Sequence, residues 1–331
     1  MSMFALRARR SVRTLGAALA FAASLTGAAK AAENFPTKPV TTVVAFSPGG
    51  TTDILAREIG NALSQMWGQS VVVENKPGGA GNIGTQAVIN SAADGYTILI
   101  NSIGPIAVNP SLFTRLKFDP QEDLTPIVLV ADVPNVLVVN PKSNIKSVKE
   151  LIEFSKTREG GVNCASTGVG TAAHLSCETF ARQANIDFTH IPYKGADALN
   201  DLIGGRVDFM FATMPSVMGH IRSGTLVPLA VSTAQRSVVM PELPTVAEAG
   251  LPDFALGSWF GYFAPAGTPE AIVKKINADI NTVLQEPNIK QRLINEGAAP
   301  VGGTPEEFKA YVASETKKWN EVVTSLGIVL D

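Results

Sequence analysis

The chain has 331 residues, of which 45% are hydrophobic and 17% charged, and its formal net charge is −2. This length is enough for two domains of ordinary size with a large core. A slightly acidic chain without clusters of Lys and Arg beyond its N-terminal segment argues against nucleic acid and against an anionic membrane surface as partners.

Residues 1–31 are predicted to be a signal peptide. They open with a basic region that contains Arg7, Arg9, Arg10 and Arg13. An apolar stretch too short to span a bilayer comfortably follows, and Ala29-Lys30-Ala31 fits an A-x-A cleavage site. We therefore expect a periplasmic mature chain that begins at Ala32, and the loss of five basic residues moves the formal charge from −2 to −7. Arg9-Arg10 also resembles a twin-arginine signal, so general secretion and twin-arginine export both stay open.

The stretch from Thr41 to Trp67 predicts a strand, a Gly-rich loop and a helix. The loop, Ser47–Asp53, contains Pro48, Gly49 and Gly50 but no Lys or Arg. We expect Thr51, Thr52 or Asp53 to cap the helix, and the free N–H groups and the helix dipole then suit an anion. An ordinary strand-to-helix turn explains the same pattern.

The remaining elements alternate between strands and helices, which favours parallel sheets covered by helices. We predict strands at 70–75, 96–101, 127–140 (interrupted at Pro134), 162–166, 188–193, 207–211, 226–233 and 255–263. We predict helices at 83–92, after Ser147, at 172–183 and 196–203, and two tail helices that start near Thr268 and Thr304. Ligands on such sheets lie beyond the carboxyl ends of strands, where the loops at Ser47–Asp53 and Asn101–Gly104 begin.

Cys164 and Cys177 are the only cysteines, the first in a predicted strand and the second on the following helix. Export permits a disulfide between them. Small buried apolar roles are the favoured interpretation, and the bridge stays open.

No pattern in the sequence carries enzymatic chemistry. Gly168 to Ala173 matches the dinucleotide motif G-x-G-x-x-A, but Asp187 precedes the next strand, whereas the acidic residue of that motif lies at the strand's carboxyl end. His174, His190 and His220 do not have metal-ligand spacing. Asp53 and Asp208 fall in different predicted domains, so hydrogen-bonding roles are favoured over acid–base work.

Two similar domains, each with a polar Gly-rich loop before a helix, suggest a clamshell that closes on a small anion. The chain resembles the Bug-type receptors, the extracytoplasmic solute-binding proteins of tripartite tricarboxylate transport systems, over residues 35–331. The matching motifs are Phe35-Pro36-x-Lys38-Pro39, Pro48-Gly49-Gly50-x-x-Asp53, Val73-Glu74-Asn75-Lys76-Pro77-Gly78, Asp94-Gly95-Tyr96-Thr97, Ala165-Ser166-x-Gly168-x-Gly170-Thr171-x-x-His174, Pro192-Tyr193-Lys194-Gly195, Gly204-Gly205-x-Val207-Asp208, Pro244-Thr245-x-x-Glu248-Ala249-Gly250 and Ala264-Pro265-x-Gly267-Thr268-Pro269.

The resemblance implies an α/β fold of the type II periplasmic-binding-protein class, a two-domain clamshell with central sheets and two hinge strands. We expect domain 1 at 32–136 and 234–331 and domain 2 at 137–233. A ligand carboxylate would sit between the first Gly-rich loop, Phe46–Asp53, and the second, Ser166–Thr171. The expected ligand contacts are Phe46, Ser47, Gly49, Gly50, Thr51, Thr52, Asp53, Asn101, Ser102, Ser166, Thr167, Gly168, Gly170, Thr171 and His174.

The leading function is therefore capture of a small organic carboxylate, by a monomer without cofactor, metal or catalytic residue, for the membrane subunits of a tripartite tricarboxylate transporter. The alternatives are a sensor that presents its ligand to a membrane kinase and an enzyme that acts on a carboxylated substrate. Specificity would come from residues that face the distal part of the ligand. The candidates for that role are Asn101, Ser102, Ile103, Phe211, Ser216, Trp259 and Phe260.

Overall fold

The computed structural model describes residues 34–330. The predicted signal peptide and its cleavage site lie outside the described residues. Within 34–330, no helix combines the length and the apolar character that crossing a bilayer requires. The strands are β1 (Val40–Val44), β2 (Val71–Asn75), β3 (Thr97–Ser102), β4 (Leu124–Val139), β5 (Val162–Ser166), β6 (Phe188–Pro192), β7 (Phe209–Thr213), β8 (Val227–Val231), β9 (Gly257–Pro265) and β10 (Ala299–Gly302).

The helices cover both halves of this sheet. They are α1 (Thr51–Trp67), α2 (Asn82–Ile89), α3 (Asn109–Leu112), α4 (Pro120–Asp123), α5 (Val148–Thr157), α6 (Ala172–Ala184), α7 (Asp197–Ile203), α8 (Met214–Arg222), α9 (Glu270–Gln285), α10 (Pro287–Asn295) and α11 (Pro305–Leu326). α1 shows why such segments are helical: Leu55, Ile59 and Leu63 recur at helical spacing, and all three are buried.

The strands form one sheet in the order β2-β1-β3-β9-β4-β7-β5-β6, and β8 and β10 also pair with β4. β1 runs parallel to β2 and β3 in the first half of the sheet, and β5 runs parallel to β6 and β7 in the second half. The alternation of strands and helices in the sequence predicted this parallel pairing correctly. In each half the loops that leave the carboxyl ends of these strands lead into helices, which is the usual location of ligands on such sheets.

β4 belongs to both halves of the sheet. It pairs with β9 as far as Pro134, and from Asn135 onward it pairs with β7. The predicted interruption at Pro134 is wrong, because the strand continues to Val139. The residue lies at the end of one ladder and before the start of the next, where a missing N–H is tolerated.

The first helix is not capped by a side chain. Its N-cap is Gly50, without a side-chain hydrogen bond, so the expected capping by Thr51, Thr52 or Asp53 is wrong. The capping box at Thr304 and Glu307 in the tail is present as predicted. The tail also contains α10 and β10, which the sequence patterns missed because α10 is polar and β10 is short.

Residues 234–256 pack against the second half of the sheet. Met240 and Leu243 share an apolar core with residues of β4 and β5. The ring of Phe254 stacks on that of Phe211 in β7, with 5.5 Å between ring centres. The chain returns to the first half at Gly257, where β9 begins.

The two cysteines form a disulfide bond, with 6.3 Å between their Cα atoms. Both are fully buried, and the interpretation of two separate apolar thiols is wrong. The loop at 167–171 turns α6 back over β5, which brings Cys177 above Cys164. The spacing of the two residues could not reveal this turn.

Candidate functional site

A cavity of about 60 Å³ lies where the loops from both halves of the sheet meet. One water molecule needs about 10–15 Å³, so the space suits a small organic molecule. The lining residues come from both predicted domains and from β4 and β9. They are Phe46, Gly50, Thr51, Thr52, Ser102, Ile103, Asn135, Thr167, Thr171, Ala172, Ala173, Gly195, Ala196, Leu199, Met210, Phe211, Thr213, Ser216, Ser258 and Phe260.

Four of the described helices begin at this cavity, one of them α7, whose N-cap Ala196 lines it. The first residues of α1 and α6 line it, and so does Thr213, the N-cap of α8. The first amides of a helix have no partner within the helix, and the dipole adds partial positive charge at that end. No Lys, Arg, His, Asp or Glu of residues 34–330 lines the cavity. The cavity therefore suits an anion that is held by neutral donors.

Asp53 lies behind the first loop and does not line the cavity. Its carboxylate is buried and accepts hydrogen bonds from the Gly49 amide (3.0 Å), from Arg57 (2.9 and 3.0 Å) and from Asn75 Nδ2 (3.0 Å). Burial alone would raise the pKa of Asp53, but these donors and the charge of Arg57 outweigh it and lower that pKa. The ionised side chain thus holds the loop at 47–50 in shape.

The second Gly-rich loop, at residues 166–171, is also supported by side chains that do not line the cavity. The Ser166 hydroxyl, which is fully buried, donates to the Gly168 carbonyl at 3.0 Å, and its oxygen lies 2.6 Å from His190 Nε2. The Thr171 hydroxyl donates to the same carbonyl at 2.7 Å and accepts a bond from the His174 amide at 3.4 Å. Thr171 thereby caps α6 and fixes the direction of its first turn toward the cavity.

Two stacked histidines support that loop. The rings of His174 and His190 lie 4.0 Å apart, and His174 Nδ1 accepts a hydrogen bond from the Gly170 amide at 3.2 Å. Burial, and in second place the neighbouring His174, lowers the pKa of His190 to about 3. His190 is therefore neutral near pH 7 and can donate its Nε2 proton to Ser166. Neither ring lines the cavity.

Hydroxyl and backbone groups connect the two halves across the cavity. The Thr51 and Thr213 hydroxyl oxygens, from α1 and from the end of β7, are 2.7 Å apart. The Ser47 hydroxyl donates to the Lys194 carbonyl at 3.0 Å. These contacts join the first loop directly to elements of the second half.

The structure brings about half of the expected ligand contacts to the cavity. Those that line it are Phe46, Gly50, Thr51, Thr52, Ser102, Thr167 and Thr171. Those that do not line it are Ser47, Gly49, Asp53, Asn101, Ser166, Gly168, Gly170 and His174. Most of this second group support the loops through hydrogen bonds, and their role toward a ligand stays a prediction.

The residues expected at the distal part of the ligand divide in a similar way. Ile103, Phe211, Ser216 and Phe260 line the cavity together with Ser102. Asn101 is buried beside Thr85, to which its amide donates at 2.8 Å. Trp259 lines a separate groove of about 590 Å³, and its indole N–H donates to Glu315 at 3.1 Å. No group of His, Cys, Asp and Glu among residues 34–330 is arranged to hold a metal ion.

Sequence reasoning missed the cavity residues that lie on strands and helix starts. Asn135, Thr213, Ser258, Leu199 and Met210 all line the cavity. Asn135 carried a detectable signal, because it is a lone amide within the otherwise apolar run from Val133 to Val139. The others follow no motif, and only the packing of the two halves brings them together.

Residues 55–328 match the sequence pattern of the tripartite tricarboxylate transporter family receptors. The chain belongs to this family. Among its relatives, BugT of Bordetella pertussis is 41% identical over 301 residues, which cover 90% of this chain and 92% of BugT. The resemblance to Bug-type receptors that the sequence motifs indicated is confirmed.

Solved structures agree with this assignment. R. palustris Rpa4515, solved with adipate, has a TM-score of 0.87 and 38% identity, and the match covers 89% of this receptor and 99% of that chain. MatC from Rhodopseudomonas palustris, solved with malate, has a TM-score of 0.83 and 32% identity, with coverage of 87% and 100%. The predicted fold of two-domain periplasmic solute-binding proteins is confirmed. Because its family and relatives are binding proteins, the chain is a solute-binding receptor and not an enzyme.

Proposed function

We propose that this receptor captures a small organic carboxylate in the periplasm and delivers it, as a monomer, to the membrane subunits of a tripartite tricarboxylate-type transporter. The observation that carries the proposal is the convergence of the first turns of α1 and α6 on a cavity without charged side chains. The free amides of two helices from opposite halves are well suited to the two oxygens of one carboxylate. Adipate and malate, the ligands of the two solved relatives, are both carboxylates.

We also propose that the cavity lies between two domains that move about β4 and a second hinge strand. The change of partner between Pro134 and Asn135 supports the predicted boundary at residue 136. The packing of residues 234–256 against the second half supports a return to domain 1 near Gly257, later than the expected position 234. The second hinge would then lie at the start of β9 and not at the expected boundary near residue 234.

Delivery to a transporter rests on the family and on the expected periplasmic location. We commit to transport because the family whose pattern matches is a family of transporter receptors.

The first test is binding without turnover. We expect one or more members of a panel of mono-, di-, tri- and aromatic carboxylates to raise the stability of the purified protein, by roughly 2.7 kcal/mol at 100 times the dissociation constant. Thermal unfolding with each acid provides the measurement. A panel in which no carboxylate shifts the transition would contradict the proposal.

The Thr52→Asp variant tests whether the anion binds at the start of α1. Thr52 is the second residue of α1 and lines the cavity, so a carboxylate there would stabilise the helix end but repel the ligand. Two like charges about 4 Å apart in a partly buried site repel each other by several kcal/mol. We therefore expect the affinity for the carboxylate to fall about 100-fold or more. Asn288→Asp, at the exposed second position of α10, is the matched control and should bind normally.

A further inference from the structure

Asn135 is a fully buried amide at the boundary between the two halves of β4, and it lines the cavity. Its Oδ1 accepts a hydrogen bond from the Ser258 hydroxyl at 3.1 Å. Its Nδ2 has no hydrogen-bond partner among residues 34–330. A buried donor without a partner costs stability, and proteins retain few such groups. The free donor therefore points to a ligand.

The surroundings of Asn135 add a second feature that favours an anion. Asn135 pairs directly with Thr213 in the ladder between β4 and β7, and Thr213 is the N-cap of α8. No side chain caps that helix start, and Ser216 in its first turn also lines the cavity. The positive end of α8 and the free amide of Asn135 thus lie side by side.

We propose that Asn135 Nδ2 and the start of α8 form a second acceptor subsite, which binds the second carboxylate of a short dicarboxylate. The proposal rests on the proposed function, in which α1 and α6 hold the first carboxylate. Apolar side chains of the cavity wall suit the methylene groups between the two ends. They are Phe46, Ile103, Leu199, Met210 and Phe260.

The same arrangement disfavours other carboxylates. An amino acid would bring an ammonium group into a cavity that no Asp or Glu of residues 34–330 lines. A monocarboxylate with an apolar end would leave Nδ2 buried without a partner. A second carboxylate accepts a hydrogen bond from the Asn135 amide, and charged acceptors make the stronger hydrogen bonds. Its negative charge also lies at the partly positive start of α8.

The test compares matched acids on the full exported protein by isothermal titration. The probes are succinate, glutarate and adipate, together with butyrate, pentanoate and hexanoate as their monocarboxylate counterparts. We expect the wild-type protein to bind at least one dicarboxylate about 10- to 100-fold more tightly than the monocarboxylate of equal length. Asn135→Asp replaces the donor with an acceptor of the same shape, and this preference should disappear.

Asn140→Asp is the matched control. Asn140 directly follows β4, is buried, and donates to the Leu202 and Ile203 carbonyls without lining the cavity. The control should lower thermal stability but keep the preference for dicarboxylates. Asn135→Ala, which removes the amide without adding charge, serves as the second variant if Asn135→Asp does not fold.

The outcomes separate the two proposals. Loss of the preference in the Asn135 variants, with the preference kept in Asn140→Asp, supports the second subsite. If the wild-type protein binds monocarboxylates as tightly as dicarboxylates, or if the Asn135 variants keep the preference, the second subsite is overturned and the carboxylate receptor remains. If no carboxylate in the wider panel binds, the proposed function itself fails.

Discussion

At the scale of single residues, the cavity depends on side chains that do not line it. Asp53 accepts four hydrogen bonds behind the first loop, and one of them comes from the Gly49 amide within that loop. The sequence predicted only part of the role of Asp53. The Gly-rich motif indicated that Asp53 is important, but it did not show whether the side chain contacts the ligand or supports the loop. The partners Arg57 and Asn75 lie on α1 and β2, and only the fold brings them to one carboxylate.

We predict that Asp53→Asn lowers the free energy of unfolding by about 1–3 kcal/mol near pH 7, toward the lower end because Arg57 is half exposed. The folded-state pKa of Asp53 is lowered. Its contribution is therefore fully present above the unfolded value of about 3.9 and is lost as the pH falls through the lower folded value. Urea unfolding of both proteins between pH 7 and pH 3 should show their difference shrink below about pH 4.

The control for that measurement is Asp187→Asn, a change at an exposed carboxylate. We expect it to leave the free energy of unfolding unchanged across the same range. A difference between wild type and Asp53→Asn that stays constant down to pH 3 would show that ionised Asp53 does not stabilise the fold.

At the scale of elements, the sequence predicted every described strand except β10 and most of the longer helices, but it missed α3, α4, α8 and α10 and could not show how the elements meet. Apolar runs such as Val162–Ser166 identified strands, and helical spacing identified α1 and α9. The cavity, by contrast, combines the starts of several helices with Asn135 on a strand. Hydrophobic periodicity carries no information about which helix ends face each other, so these residues stayed hidden until the packing was known.

The second loop provides the element-scale prediction. Gly170 has a φ of +75°, and a Cβ there would lie 2.3 Å from Asn109 Oδ1 and 2.8 Å from Leu112 Cδ2, both in α3 of the first half. Asn109 cannot easily move, because its amide donates to the Ala80 carbonyl and to Asn82. We expect Gly170→Ala to push the halves apart and to weaken ligand binding by about tenfold or more, as measured by titration with the tightest carboxylate.

Gly224→Ala is the matched control for this change. Gly224 has a similar φ of +70°, and a Cβ there would meet nothing within 4 Å. Both variants place an alanine at a positive φ and incur the backbone strain of that conformation, but only Gly170→Ala adds a clash between the halves. Equal affinities of the two variants for the ligand would show that this contact between the halves does not control binding.

At the scale of the whole molecule, contacts between the halves occur on more than one side of β4. Arg222 in α8 forms an ion pair with Glu296 at 2.8 Å and donates to the carbonyl of Asn295, the last residue of α10, at 2.7 Å. Thr51 and Thr213 meet at the cavity. Each of these contacts depends on the relative position of the two halves, whereas β4 runs continuously through both. The arrangement suits a hinge that opens and closes around a ligand.

We predict that a tight carboxylate reduces the radius of gyration of the wild-type protein. A ligand can shift the equilibrium between two arrangements only through contacts that differ between them, and the cavity is lined from both halves. Small-angle scattering with and without a saturating ligand measures the change. Thr52→Asp at the same ligand concentration should show no compaction, and an unchanged wild-type radius at saturation would argue against closure.

The neutral lining of the cavity also decides how the receptor responds to its surroundings. An exported protein meets the acidity and salinity of the outside medium, and groups that titrate or attract counterions would make capture depend on both. Since no ionisable side chain of residues 34–330 lines the cavity, the charge of the lining itself does not change with pH. Among the described residues no cationic side chain lines the cavity, so the helix ends are the only positive charges there that added salt could screen. If the receptor binds a carboxylate there as proposed, we expect its affinity to change with pH mainly through the acid dissociation of the ligand itself.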